Sequence, residues 1–153
     1  MPDSSPSDRG GGWVVAQSAL MVLVVVLVFL PPFWPRQLSF VGIPLAVLGA
    51  IGFVWSARSL GKSMTPYPRP RETGELIEKG PYRFVRHPIY LGWVLLVWAA
   101  SDMTTGRLVF AAISTAYLVV AVPFEERSLR CRFGPSYDAY RHTVRWRIVP
   151  GLY

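Results

Sequence analysis

Residues 80 to 92 read Gly80-Pro81-Tyr82-Arg83-Phe84-Val85-Arg86-His87-Pro88-Ile89-Tyr90-Leu91-Gly92, and the stretch runs directly into apolar sequence. Its side chains have complementary chemistries. Tyrosine faces attract cations, arginine N–H groups hold carboxylates, and histidine exchanges protons near neutral pH. Further along, Glu125 and Glu126 place two adjacent carboxylates just after another apolar run. Together these groups suit a zwitterionic or mixed-charge ligand. Within the acidic pair, Glu126 has an ordinary reading as one half of an i,i+4 ion pair with Arg130. Glu125, the carboxylate nearer the apolar run, is expected to hold a buried cation, because an acid at a membrane boundary is a functional feature by default.

Other chemistries are absent from the sequence. It has no glycine-rich dinucleotide fingerprint, phosphate loop, serine nucleophile elbow or His-Glu-x-x-His segment. His87 and His142 are too few and too scattered for a metal site. The single cysteine, Cys131, excludes an internal disulfide.

The elements that position these residues are apolar. Hydrophobic residues make up 52% of the 153, including 6 Trp, 7 Tyr and 8 Phe. Residues 10–35 and 37–57 carry no charge, and each run reaches the roughly 20 residues that cross about 30 Å of hydrocarbon. Residues 88–101 and 108–124 are shorter uncharged runs. As helices they would rise about 21 Å and 25 Å, and they read as a membrane hairpin that thins the bilayer or borrows flanking residues. The expected fold is an all-α integral membrane protein with about four transmembrane helices, a cytoplasmic loop and a C-terminal amphipathic helix. Residues 1–12, rich in Ser, Pro and Gly, read as a disordered tail, residues 13–60 as the first two spans, and residues 61–153 as the ligand-binding core.

The net charge of +7 would suggest nucleic acid in a soluble protein, but here location explains it. Seven basic residues lie between Arg58 and Arg86, six follow Phe124, and Arg9 brings the count to 14 of 16. Four spans place the N-terminus, the long loop and the tail on one side, and the positive-inside rule makes that side cytoplasmic. The partner is the lipid bilayer, not nucleic acid.

Within the loop, Pro66, Pro68 and Pro70 favour an extended path, Thr73-Gly74 signals a turn, and residues 75–79 form a short amphipathic piece that Gly80-Pro81 breaks. Pro88 suits the first position of a helix, which puts His87 at a helix mouth whose free N–H groups can receive an anion. Pro123 interrupts the last apolar run, so the Glu pair falls at a helix exit. Gly134-Pro135 stops the following helix. Ser136 is a candidate cap for a final amphipathic helix carrying Tyr137, Tyr140 and Val144.

Gly-Pro-Tyr-x-x-x-Arg-His-Pro-x-Tyr-x-Gly, then Glu-Glu-x-x-Leu, then Phe-Gly-x-x-Tyr-x-x-Tyr, resembles the isoprenylcysteine carboxyl methyltransferase and phospholipid methyltransferase superfamily over about residues 74–150. The resemblance implies a helical membrane enzyme that uses S-adenosylmethionine, enclosed on the cytoplasmic side by the loop and C-terminal helices. By that resemblance Leu76, Ile77, Tyr82, His87, Pro88, Ile89, Tyr90, Glu125 and Glu126 contact the cofactor. The acceptor would be a lipophilic or small molecule bearing a carboxylate, amine or thiol.

The chain also departs from the pattern. Ala121 stands where the isoprenylcysteine enzymes carry a substrate-contacting arginine one turn before the Glu pair. Tyr67 and Gly74 stand where upstream cofactor contacts are expected. Arg145 and Arg147 are candidate replacements for the lost arginine, and His87 or a glutamate is the candidate base for an acceptor that must lose a proton. Two other readings compete: a membrane reductase of related architecture, and a non-catalytic accessory protein that retains the fold.

Overall fold

A computed structural model describes residues 42–61, 75–99 and 104–153, together with Ala19 and Phe40. The N-terminal tail, the first apolar run apart from Ala19, and the alternating prolines of the loop lie outside the described residues. The described elements are helical: α1 (Gly42–Leu60), a 3₁₀ turn (Gly80–Arg83), α2 (Pro88–Trp98), α3 (Thr105–Phe133) and α4 (Pro135–Thr143).

Among the described residues, α1 and α3 are long and apolar enough to cross a membrane. Their outer faces fit that role, since Val47, Leu48 and Ile51 on α1 and Val109, Ile113 and Val120 on α3 are half or more exposed. An apolar helix packed into a soluble core would bury such residues. By contrast, α2 has 11 residues and rises only about 16 Å, too little to span. The protein is thus a helical membrane protein in which two of the expected spans are seen as helices of sufficient length.

α1 and α2 pack backbone to backbone at two glycines. A Cβ on Gly92 would sit 2.8 Å from Phe53 N and 2.9 Å from Gly49 O, and one on Gly49 would sit 2.8 Å from Gly92 O. Small residues at a helix crossing permit this close approach in membranes. Gly80 makes a similar junction at the end of α1. It has φ +62°, and a Cβ there would lie 2.8 Å from Ser59 Oγ. Between α2 and α3, the Trp98 Nε1–H donates to Thr115 Oγ1 at 2.9 Å.

Several local expectations are corrected. Residues 75–79 carry no regular secondary structure, and Gly80-Pro81 opens a 3₁₀ turn in place of a plain break. Pro123 does not end its helix; α3 continues to Phe133, so the Glu pair sits inside a long helix. A proline in a helix interior leaves the carbonyl four residues earlier without its N–H partner. That carbonyl belongs to Val119, and it accepts from the Tyr153 hydroxyl at 3.5 Å. The last helix is capped by Gly134 (φ +51°) with Pro135 in its first turn, so Ser136 lies inside it. Tyr137, Tyr140 and Val144 are buried on one side of α4, as the amphipathic spacing predicts.

Candidate functional site

The site forms where the residue-80s motif meets α3. Pro88 opens α2 and makes His87 its N-cap, so the imidazole projects from a fixed helix mouth toward α3. The spacing of α3 then presents both carboxylates to it. Glu125 accepts a hydrogen bond from the Tyr90 hydroxyl, and its other oxygen lies 3.4 Å from His87 Nδ1. Glu126 Oε1 lies 3.6 Å from His87 Nε2 and 2.9 Å from Arg86 Nε. Glu126 Oε2 lies 3.4 Å from Arg147 Nε. The His87 and Tyr90 rings stack at 5.4 Å between centroids.

The two glutamates divide the work differently from the sequence expectation. Glu126 is the deeply buried one, and it faces Arg86, His87 and Arg147. It forms no pair with Arg130, which reaches Asp138 at 2.9 Å instead. Glu125 is partly exposed, and its partners among the described residues are the Tyr90 hydroxyl and His87. The reversal follows from α3 continuing past Pro123: an uninterrupted helix rotates Glu126 inward toward the motif and leaves Glu125 beside Tyr90.

Electrostatics at His87 follow from this arrangement. Burial alone pushes the imidazole toward its neutral form. Hydrogen bonds and charge from Glu125 and Glu126 outweigh that, and the net displacement is upward from the ordinary value of 6.5. Both ring nitrogens face carboxylates, which is the environment of an imidazolium. Tyr82, at the base of the motif, is pushed up chiefly by burial and remains a phenol.

The C-terminal segment closes one side. Arg86 N donates to Trp146 O at 2.9 Å and His87 N to Arg147 O at 2.7 Å, so the motif backbone is held by residues sixty positions away. The Arg147 guanidinium donates to the Tyr153 hydroxyl at 3.1 Å, and Tyr153 O accepts from the N–H groups of Arg147, Ile148 and Val149. Ile148 is buried with Tyr90, Leu118, Ala121 and Val122.

Of the residues singled out from sequence, His87, Tyr90, Glu125, Glu126 and Arg147 come together. Pro88 is buried beside them and Ile89 packs on the adjoining core. Tyr82 is buried, with its carbonyl accepting from the Tyr140 hydroxyl at 2.7 Å. Leu76 packs instead against the Tyr137 and Tyr140 cluster, and Ile77 is half-buried. Arg145 is exposed and faces no carboxylate among the described residues. Sequence reasoning missed Arg86 as a site residue, although its place beside His87 in the motif was available as a signal. It also missed Tyr153, for which no local pattern exists.

A carboxylate pair, a tyrosine, a histidine and two arginines at one end of apolar helices define a membrane protein with a polar, mixed-charge binding site. The sequence model of the phospholipid methyltransferase family matches residues 38–136, more than half of the chain, and this protein belongs to that family. It is 46% identical over 89 residues to methanethiol S-methyltransferase 1 of Bradyrhizobium diazoefficiens, covering 58% of this chain and 29% of that protein. It is 51% identical over 63 residues to methanethiol S-methyltransferase of Mycobacterium tuberculosis, covering 41% of this chain and 26% of that protein. A probable protein-S-isoprenylcysteine O-methyltransferase of Oryza sativa subsp. indica is 29% identical over 143 residues, covering 86% of this chain and 73% of that protein. The chain therefore spans between a quarter and a third of the length of these two methanethiol relatives.

Proposed function

We propose that this chain carries the methyl-donor site of an S-adenosylmethionine-dependent membrane methyltransferase, within residues 61–153, and that its acceptor is a small thiol. The observation that carries the donor reading is Glu125, held by Tyr90 and His87 and, among the described residues, opposed by no arginine. A carboxylate beside an aromatic face, with no permanent cation of its own, is a receptor for a sulfonium or ammonium group. His87 Nε2 and Glu126 Oε1 are buried without a well-directed hydrogen bond, so the residues present fit a polar ligand of mixed charge. When bound, S-adenosylmethionine supplies an electrophilic methyl group on sulfonium. Glu125 and Tyr90 would hold its cationic groups, with Tyr82, Pro88 and Ile89 shaping the wall around them, and Leu76 and Ile77 lining the side toward α4.

The acceptor reading rests on charge. Ala121 is fully buried and apolar-packed, and Arg147 is engaged by Glu126 and Tyr153. Neither offers a cation to an acceptor carboxylate. A thiol needs none, and it reacts as its thiolate, an intrinsically strong nucleophile. The protein's task is then to align the two reactants and exclude water. The names of the methanethiol relatives agree with this reading. The termini and loop face the cytoplasm in the proposed topology, on the distribution of basic residues.

The test has two parts. Detergent-purified protein is expected to bind S-adenosylmethionine by calorimetry and to transfer labelled methyl to a small alkyl thiol in preference to a phospholipid amine or a prenylated cysteine. A folded sample that binds neither S-adenosylmethionine nor its demethylated product overturns the donor reading. Transfer favouring the lipid or prenyl acceptor overturns the thiol reading alone.

A further inference from the structure

Tyr137 on α4 is the largest fully buried side chain among the described residues, at 1% exposure. Its hydroxyl has no hydrogen-bond partner among them. Tyr140, on the same face, differs: its hydroxyl donates to the Tyr82 carbonyl. Burying a hydroxyl without a partner is destabilising, and a phenylalanine would fill the same space without that cost. The Tyr137 ring packs with Leu76, Leu129 and Phe133, so apolar contacts alone do not require the oxygen.

The surroundings say what the oxygen could bond. The charged groups acting on the Tyr137 hydroxyl are Glu126, Arg86 and Arg141, with the Tyr140 phenol beside them. Arg86 Nε and Arg141 Nε are, like the hydroxyl, buried without a well-directed hydrogen bond. Arg86 is engaged as an ion pair with Glu126, and Arg141 Nη1 lies 3.6 Å from Asp138. Burial pushes the phenol up first, and Glu126 adds to it, so the hydroxyl keeps its proton and acts as a donor. An unpartnered hydroxyl donor with two guanidinium groups within electrostatic reach is the chemistry of carboxylate recognition.

We infer that Tyr137 is a ligand contact, its hydroxyl donating to the carboxylate at the amino-acid end of the methyl donor, beside Arg86 and Arg141. The assignment rests on the donor reading above and goes beyond it by giving α4 a binding role. Glu125 and Tyr90 are then left for the cationic groups of the same ligand.

Tyr137→Phe in the full chain tests it, using S-adenosylhomocysteine and its fragment 5′-methylthioadenosine, which lacks the amino-acid end. Removing only the orphan oxygen is expected to leave the ligand-free melting temperature unchanged or raised. Affinity for S-adenosylhomocysteine is expected to fall about tenfold, the loss of one hydrogen bond to a charged group, while the fragment binds both proteins equally. Unchanged affinity for S-adenosylhomocysteine, equal losses for both compounds, or a lowered ligand-free melting temperature overturns the assignment. Wild-type protein that binds neither compound overturns the donor reading and this assignment with it.

Discussion

Glu126 Oε1 lies 2.9 Å from Arg86 Nε, and each side chain is about 7% exposed. The same carboxylate faces His87 and Arg147, so one residue of α3 joins the motif to the C-terminal segment. Removing one member of a buried ion pair costs more than the pair contributes, because the partner is left charged and dry. Glu126→Ala is therefore expected to destabilise the protein by about 3 kcal/mol, seen as a lower melting temperature in detergent. Glu126→Gln keeps the shape and removes the charge, and should lose most of the same stability. Variants that melt with the wild type would show that Arg86 and Arg147 do not depend on this carboxylate.

Glu125 should behave differently. Its partners are the Tyr90 hydroxyl and His87, and among the described residues no arginine is stranded by its loss. Glu125→Gln is expected to reduce S-adenosylmethionine affinity by at least tenfold, the scale of a lost charge-assisted contact, with a smaller change in melting temperature than Glu126→Gln. Calorimetry and thermal melting on the two variants side by side check the division. If Glu126→Gln loses binding while Glu125→Gln retains it, the two roles are reversed.

Much of this was legible in the sequence, for identifiable reasons. Pro88 at the first position of α2 follows from the proline's fixed φ and missing N–H, and that places His87 correctly. Tyr137, Tyr140 and Val144 declare a buried face by spacing alone. The division between Glu125 and Glu126 was not legible, because it depends on whether α3 survives Pro123. That in turn depends on tertiary help: Val119 O, left without its helical N–H, is met by Tyr153 thirty-four residues away. The pairing of residues 86 and 87 with 146 and 147 has no local signature either. Long-range backbone pairing is decided by the assembled fold, and the basic residues of the tail read equally well as membrane anchors.

Gly92 links membrane packing to the site. A Cβ there would lie 2.8 Å from Phe53 N and 3.1 Å from Phe53 Cα, and both are backbone atoms that cannot turn aside. Gly92→Ala must push α1 and α2 apart, at an expected cost of about 1–3 kcal/mol for overpacking. Because Tyr90 lies two residues away on α2, the shift should also weaken donor binding. Gly52→Ala is the control, since a Cβ at Gly52 meets nothing within 4 Å. The expected result is a lowered melting temperature for Gly92→Ala and none for Gly52→Ala. Equal behaviour of the two would remove the close crossing as a determinant of stability.

His87 makes donor binding depend on pH with a definite sign. Its ring faces Glu125 and Glu126, and their hydrogen bonds and charge overcome burial and raise its pKa above the ordinary 6.5. A histidine whose pKa is raised by folding contributes stability that is fully present below 6.5 and fades as pH rises through the folded value. The melting temperature of wild type relative to His87→Gln should therefore be most favourable near pH 6 and decline toward alkaline pH. The imidazolium also occupies the carboxylate that a sulfonium would need, so a cationic ligand must compete with it. Affinity for S-adenosylmethionine should rise with pH across the His87 titration, and proton release on binding should appear as a buffer-dependent calorimetric enthalpy. S-adenosylhomocysteine, which lacks the sulfonium charge, should show a shallower rise, and His87→Gln should flatten the difference between the two ligands. Equal slopes for both ligands in the wild type, or affinity that falls with pH, would refute the competition.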